Sequence, residues 1–385
     1  MRRLVVPTLL VLAFLLTSSN RGEARTWYIK PDGTGDAPTI KAGIDSAAHG
    51  DTVLVECGTY YEHALQMKSG LYLRSSTGQP DCVIIDAENE ESVIYCVGVR
   101  DGAEIEGFTF TRGLAPEPLY GQSGGGGMRM ESSRFTTANC AFVNNRAGNS
   151  MHPGFGGGLF CLDSSPGLIN CSFSDNEAMH GGGMCCEDES VPVLNNCVFS
   201  QNSAADGGGL CCLSGSVRLA GCLLFRNSAG IFGGGLDCEA PAILLGCTVV
   251  GNSAPGAAGI FWFWDGYSEL TVVNSIIAFN GSGEAVFCSN EKASVSMWCC
   301  DIYGNAGGDW VSCIAEQADM YGNFSLDPLF CDAAGDDYTL IQCSPCAPGN
   351  DPNDWNCGLI GALPVGCQGT AIEPTTWGRI KAIFR

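Results

Sequence analysis

At 385 residues, with 53 glycines and 45% hydrophobic side chains, the chain is long enough for one large elongated domain and too apolar to be disordered. A formal net charge of −22 argues against nucleic acid and anionic membranes as partners, because both are gripped through cationic contacts with phosphates. It also disfavours polyanionic substrates such as pectin or alginate and suits calcium or a neutral glycan better.

The N-terminus carries a short positive region, Arg2 and Arg3, followed by an apolar run over residues 4–16 that is too short to span a bilayer comfortably. Gly22 and Ala24 place small residues where a signal peptidase requires them, so residues 1–24 are expected to be a secretory signal peptide. Its loss removes Arg2, Arg3, Arg21 and Glu23 and leaves a net charge of −24. There is no second long apolar run, so no integral membrane span is expected. Residues 38–48 have the pattern of a short amphipathic helix, and residues 51–55 and 58–62 look like the first strands.

From residue 139 a repeat dominates. Its centres are Cys140, Cys171, Cys197, Cys222, Cys247, Ser275 and Cys300, separated by 31, 26, 25, 25, 28 and 25 residues. Five residues after each centre stands an asparagine: Asn145, Asn176, Asn202, Asn227, Asn252, Asn280 and Asn305. Glycine triplets ending at Gly158, Gly183, Gly209 and Gly235 are each followed by Leu or Met and then by Cys161, Cys186, Cys212 or Cys238. A period near 25 with short alternating segments predicts one coil of a parallel β-helix, with coils stacked about 4.8 Å apart. Alternation along a strand sends Cys197 and Phe199 inward together, and likewise Leu210 and Cys212. The repeat cysteines are therefore expected to be buried free thiols acting as small hydrophobes. The asparagines are expected to stack in turns, where they tolerate the left-handed region and hydrogen-bond along the column.

The pairing of Gly-Gly-Gly-Leu with Phe-x-x-Asn, as in residues 142–145, 173–176 and 199–202, resembles the repeats of polymorphic outer-membrane proteins. More broadly, residues from about 100 to 305 are similar to the right-handed β-helix proteins of the pectin-lyase-like superfamily. The resemblance implies an all-β, single-stranded right-handed parallel β-helix over residues 25–322, with the 38–48 helix capping its N-terminal end. In that superfamily, lyases use an Arg or Lys base beside calcium-binding acids, and hydrolases use clustered aspartates.

Few side chains carry chemistry. Arg146, Arg218, Arg226 and Lys292, with His152 and His180, are the basic groups between residues 135 and 300, and they fall at different places in the repeat. No pair of them makes an evident base and acid, so no catalytic residue is assigned. His152, His180 and Asp206 sit before consecutive glycine triplets and would either meet at one corner as a metal site or stay solvated. Glu187, Asp188, Asp237 and Glu239 form an acidic ridge, read either as a solvated face or as weak calcium ligands, and no cofactor is expected beyond that. Residues 261–264, Phe-Trp-Phe-Trp, replace the usual Leu-x-Cys strand. Trp262 and Trp264 are the candidate carbohydrate-binding residues if that pair faces outward, and a plug ending the thiol columns if it faces inward.

From residue 323 the repeat stops. Cys331, Cys343, Cys346, Cys357 and Cys367 stand in a stretch rich in Pro, Asn and Asp, so residues 323–370 are expected to be a disulfide-rich cap with a Cys346–Cys357 bridge, Cys343 being the competing partner. Residues 371–385 form a basic tail that suits recognition during export or a last strand on the cap. The expected function is a secreted or cell-surface bacterial protein that binds a glycan or cell-envelope component without catalysis. A polysaccharide lyase or hydrolase, and a structural matrix component, are the alternatives.

Overall fold

The computed structural model describes residues 23–100, 102–115, 123–148, 152–263, 266, 268–290 and 292–368. The expected signal peptide and the basic tail lie outside the described residues, apart from Glu23 and Ala24.

Three parallel sheets of 11, 10 and 9 strands run the length of the solenoid. Each coil contributes one strand to each sheet in turn. A representative coil passes through Val193–Asn195 in sheet 1, Val198–Ser200 in sheet 2 and Leu210–Cys212 in sheet 3. The register between coils is regular: Phe173 lies beside Phe199, and Cys186 beside Cys212. Inward positions therefore repeat as columns. Phe142, Phe173 and Phe199 stack nearly parallel, with ring centroids 4.7 and 4.6 Å apart. Cys171, Cys197, Cys222 and Cys247 are buried free thiols, as the alternation requires.

The asparagine column is a continuous ladder. Asn176 Nδ2 donates to Asn202 Oδ1 at 2.9 Å, Asn202 to Asn227 at 2.9 Å, and Asn227 to Asn252 at 3.0 Å. Each Nδ2 also donates to a core carbonyl of the preceding coil, and each Oδ1 also accepts from the backbone N–H of the asparagine before it. Asp309 ends the ladder by accepting from Asn305 Nδ2 at 2.8 Å. The left-handed residue at this turn is not the ladder asparagine but the one before it, such as Asp175 at φ 56° and Gln201 at φ 56°. The ladder asparagine keeps an ordinary backbone and uses its amide.

The glycine triplets follow from close coil-to-coil approach. A Cβ on Gly183 would fall 2.6 Å from the Gly209 carbonyl oxygen and 2.8 Å from the Phe199 ring.

The helix Ile40–Ser46 packs its buried Ile40, Gly43 and Ile44 over the first coil, with Thr39 capping its N-terminus. At the other end the 3₁₀ helix Ser312–Gln317 covers the last strands of sheets 1 and 3. The remaining chain does not simply cap the open end. It turns back along the outer face of sheet 2, burying Tyr338 against Leu223 and Val250 and pairing Asp336 with Arg226 at 2.7 Å. Cysteine pairing differs from the expected Cys346–Cys357. Cys357 bonds Cys299 and Cys331 bonds Cys367, while Cys346 is a buried free thiol against Asp301. The pairing missed this because Cys299 belongs to the last coil, far away in sequence. Cys57–Cys82 and Cys288–Cys313 complete four bridges. Among the described residues, no helix is long and apolar enough to cross a membrane.

Candidate functional site

Outward positions on sheet 3 also form a column. Register carries Phe160 onto Cys185, then Cys211, Asp237, Phe261 and Phe287. Beside it runs a second column from the turns, in which Phe155, His180, Asp206 and Phe232 succeed one another. In each coil the turn residue stands five positions before the floor residue, so the same chain segment builds both walls. Between them lies a groove of about 510 Å³ whose lining includes His180, Asp206, Asp237, Glu239, Phe261 and Phe263.

At the N-terminal end the columns close on themselves: Phe155, Phe160, Cys185 and Cys211 form a buried cluster, and His180 stacks on Phe155 at 5.1 Å. At the other end the rings take over. Phe232 and Phe261 stack at 4.4 Å and Phe261 and Phe287 at 5.8 Å. Asp237 stands at the junction. It is 3% exposed, its Oδ2 accepts from the Cys211 thiol at 3.8 Å, and its Oδ1 has no hydrogen-bond partner. Burial, with Asp206 and Glu239 adding repulsion, pushes its carboxyl up to about 8. Burial also raises Asp206 and Glu239 above the usual carboxylate range. His180 is pushed down by burial, against the pull of Asp206, whose Oδ2 lies 3.6 Å from its Nδ1.

The sequence-level candidates are redistributed. Trp262 is 0% exposed and points into the core, where it follows Cys238 in the inward column and precedes Cys288. A ring with no exposed face cannot stack on a sugar, so that assignment is corrected: Trp262 is the plug of the thiol column. Trp264 lies outside the described residues. Among the described residues, the exposed aromatic at the end of this strand is Phe263, immediately after Trp262, at 42%. His180 and Asp206 do meet, but the position one coil before His180 is Phe155 rather than His152. The acidic ridge splits, because Asp237 is buried in the groove floor while Asp188 terminates the strand of another coil in a left-handed conformation. Among the described residues, no three His, Cys, Asp or Glu side chains are grouped to hold a metal ion. Arg146 and Arg226 are engaged elsewhere, with Glu177 and Asp336. The signal that could have found the groove is the residue between Leu or Met and Cys after each glycine triplet: Phe160, Cys185 and Cys211 are followed by Asp237.

A second hollow of about 570 Å³ lies at the C-terminal end, lined by Val295, Trp298, Glu316 and Tyr321 among others. It holds no comparable cluster of buried titratable groups.

A family model described as right handed beta helix region matches residues 69–240. No curated protein sequence matches the chain. Among solved structures, the crystal structure of pectate lyase Pel9A superposes with a TM-score of 0.55 over 90% of this chain and 97% of that one, at 13% identity. An identity that low speaks to the fold alone. With residues 69–240 matched by that family model and 90% of the chain superposed on that structure, the fold is a right-handed parallel β-helix.

Proposed function

We propose that the protein is exported and binds a glycan in the groove on the outer face of sheet 3. The observation that carries this reading is the groove itself: apolar rings beside carboxylates that can accept hydrogen bonds from hydroxyls. The role of stacking residue passes to Phe263 at the groove's edge. Export is supported by four disulfides, which persist in oxidising compartments. The structural neighbour is a pectate lyase, but among the described residues no Lys or Arg lines this groove, and its carboxylates would repel a polyuronate.

Glycoside hydrolysis is a second reading, favoured by one feature. Asp237, at about 8, is a neutral acid at pH 7 beside two carboxylates, as acid-assisted cleavage requires.

Calorimetric titration with neutral, amino and uronate oligosaccharides tests the reading, alongside assays for reducing ends and unsaturated products. Binding without turnover, weakened about tenfold or more by Phe263→Ala, is the expected result. New reducing ends that disappear in Asp237→Asn would replace it with the hydrolase reading. Failure to bind any of the three classes would overturn it.

A further inference from the structure

We propose that the groove selects a glycan bearing a free primary amine, a de-N-acetylated amino sugar, whose ammonium group docks on Asp237. The inference rests on the glycan-binding reading and names the ligand class for the same groove.

Asp237 presents an unsatisfied oxygen in a nearly closed position, which is costly to leave empty of a donor. Among the described residues, every titratable group facing it is acidic or neutral. From neighbouring turns come Asp206 and His180, and His180 is disfavoured in its charged form by burial. From its own strand end comes Glu239, and from the preceding coil the Cys211 thiol, raised well above its ordinary value by its contact with Cys185 and by burial. No cation of the protein balances these carboxylates among the described lining residues. A hydroxyl would fill the hydrogen bond to Oδ1 but leave the charge of Asp206 and Glu239 unanswered. An ammonium supplies donors and the missing positive charge together. The adjacent rings, Phe232 and Phe261, add an environment that also favours a cation. A bare divalent ion fits poorly, because the acids do not converge as a ligand set and one whole side of the groove is apolar.

The arrangement has a protonic signature. Where the amine arrives charged and Asp237 arrives protonated, docking ionises Asp237 and releases a proton. A neutral N-acetylated chain leaves Asp237 protonated and releases no such proton.

The test titrates the full-length exported protein at pH 6 with hexamers of glucosamine, N-acetylglucosamine, glucose and galacturonate. Two buffers of different ionisation enthalpy are used, each with and without calcium. The expected result is at least tenfold tighter binding of the glucosamine hexamer than of its acetylated counterpart, with net proton release seen for the amine alone. Asp237→Asn, close to isosteric, should abolish both the preference and the proton release. Glu239→Gln, at the groove margin, should reduce the preference severalfold and serves if Asp237→Asn does not fold. Equal binding of the two glucosamine-type hexamers would overturn the amine inference and leave the glycan reading standing. No binding of any hexamer would overturn both. Calcium displacing the amine competitively would overturn the inference in favour of a cation site.

Discussion

The ladder asparagines show how one side chain can serve three neighbours. Asn202 donates to Asn227 Oδ1 and to the Phe173 carbonyl, and its own Oδ1 accepts from both nitrogens of Asn176. Replacing it by Leu leaves the Asn176 backbone N–H buried without its acceptor, at about 1–3 kcal/mol, and removes the amide–amide bonds to both neighbours. Asn202→Leu should therefore lower the melting temperature markedly, and an unchanged melting curve would contradict the ladder. Asp237 behaves oppositely. Its carboxyl titrates at about 8 in the folded protein, against about 3.9 for an unperturbed aspartate, so the native state holds the proton more tightly. The native carboxylic acid is thus tolerated below about pH 4, and the group destabilises the fold progressively as pH rises to about 8. Comparing melting temperatures of wild type and Asp237→Asn across that window should show a gap widening with pH in favour of the variant. A gap independent of pH would mean that the carboxyl is not desolvated.

A stacked parallel sheet must end somewhere, and the last strand then exposes unpaired backbone groups. At the end of sheet 1, Ser294–Trp298 is met not by another strand but by two side chains, Asn323, whose Nδ2 donates to the Met297 carbonyl at 3.0 Å, and Gln317. Gln317 Oε1 accepts from the Met297 N–H at 2.9 Å, and Gln317 Nε2 donates to the Val295 carbonyl at 2.9 Å, reproducing the pattern of a next strand. Gln317→Ala should cost about 1–3 kcal/mol through those two exposed groups and raise amide exchange selectively over residues 294–298. Exchange rising uniformly along the solenoid would show that the cap is not local. In the thiol columns, burial pushes Cys300 up to about 12 and raises Cys140 and Cys247, so these thiols stay protonated and unreactive. Of the fifteen free cysteines, Cys343 alone is exposed. One equivalent of a thiol reagent should label the native protein, and the others should label only after denaturation. Rapid native labelling of Cys197 or Cys222 would contradict the inward columns.

For the whole molecule, the returning C-terminal segment ties coils that are distant along the axis. Cys299–Cys357 closes 58 residues onto the last coil of sheet 1. Within that loop, Asp336 holds Arg226 several coils back. The chain-entropy relation assigns a loop of that length about 4 kcal/mol. Cys357→Ser should lower stability by about that amount and open residues 324–367 to proteolysis before the coils. If cleavage instead begins within the coils, the segment is not a clasp.

The period of 25 and the inward partners of each strand were legible because a solenoid is built from nearest neighbours: each coil contacts only the next, so sequence spacing translates directly into stacking. The asparagine ladder and the buried Cys171, Cys197, Cys222 and Cys247 follow from that spacing. Three things did not. The inward turn of Trp262 depends on the exact strand phase after the register shift between Ala257 and Ile260, which is a coil-specific irregularity in the repeat. The partner of Cys357 was decided by a chain reversal that spacing does not encode. The groove exists because turn residues Asp206 and Phe232 rise beside floor residues Cys211 and Asp237, so buried acids face aromatic rings. Periodicity places each of these in its column. Only the tertiary packing of turn against sheet determines which columns face each other, which are sealed from water, and hence where a carboxyl retains its proton.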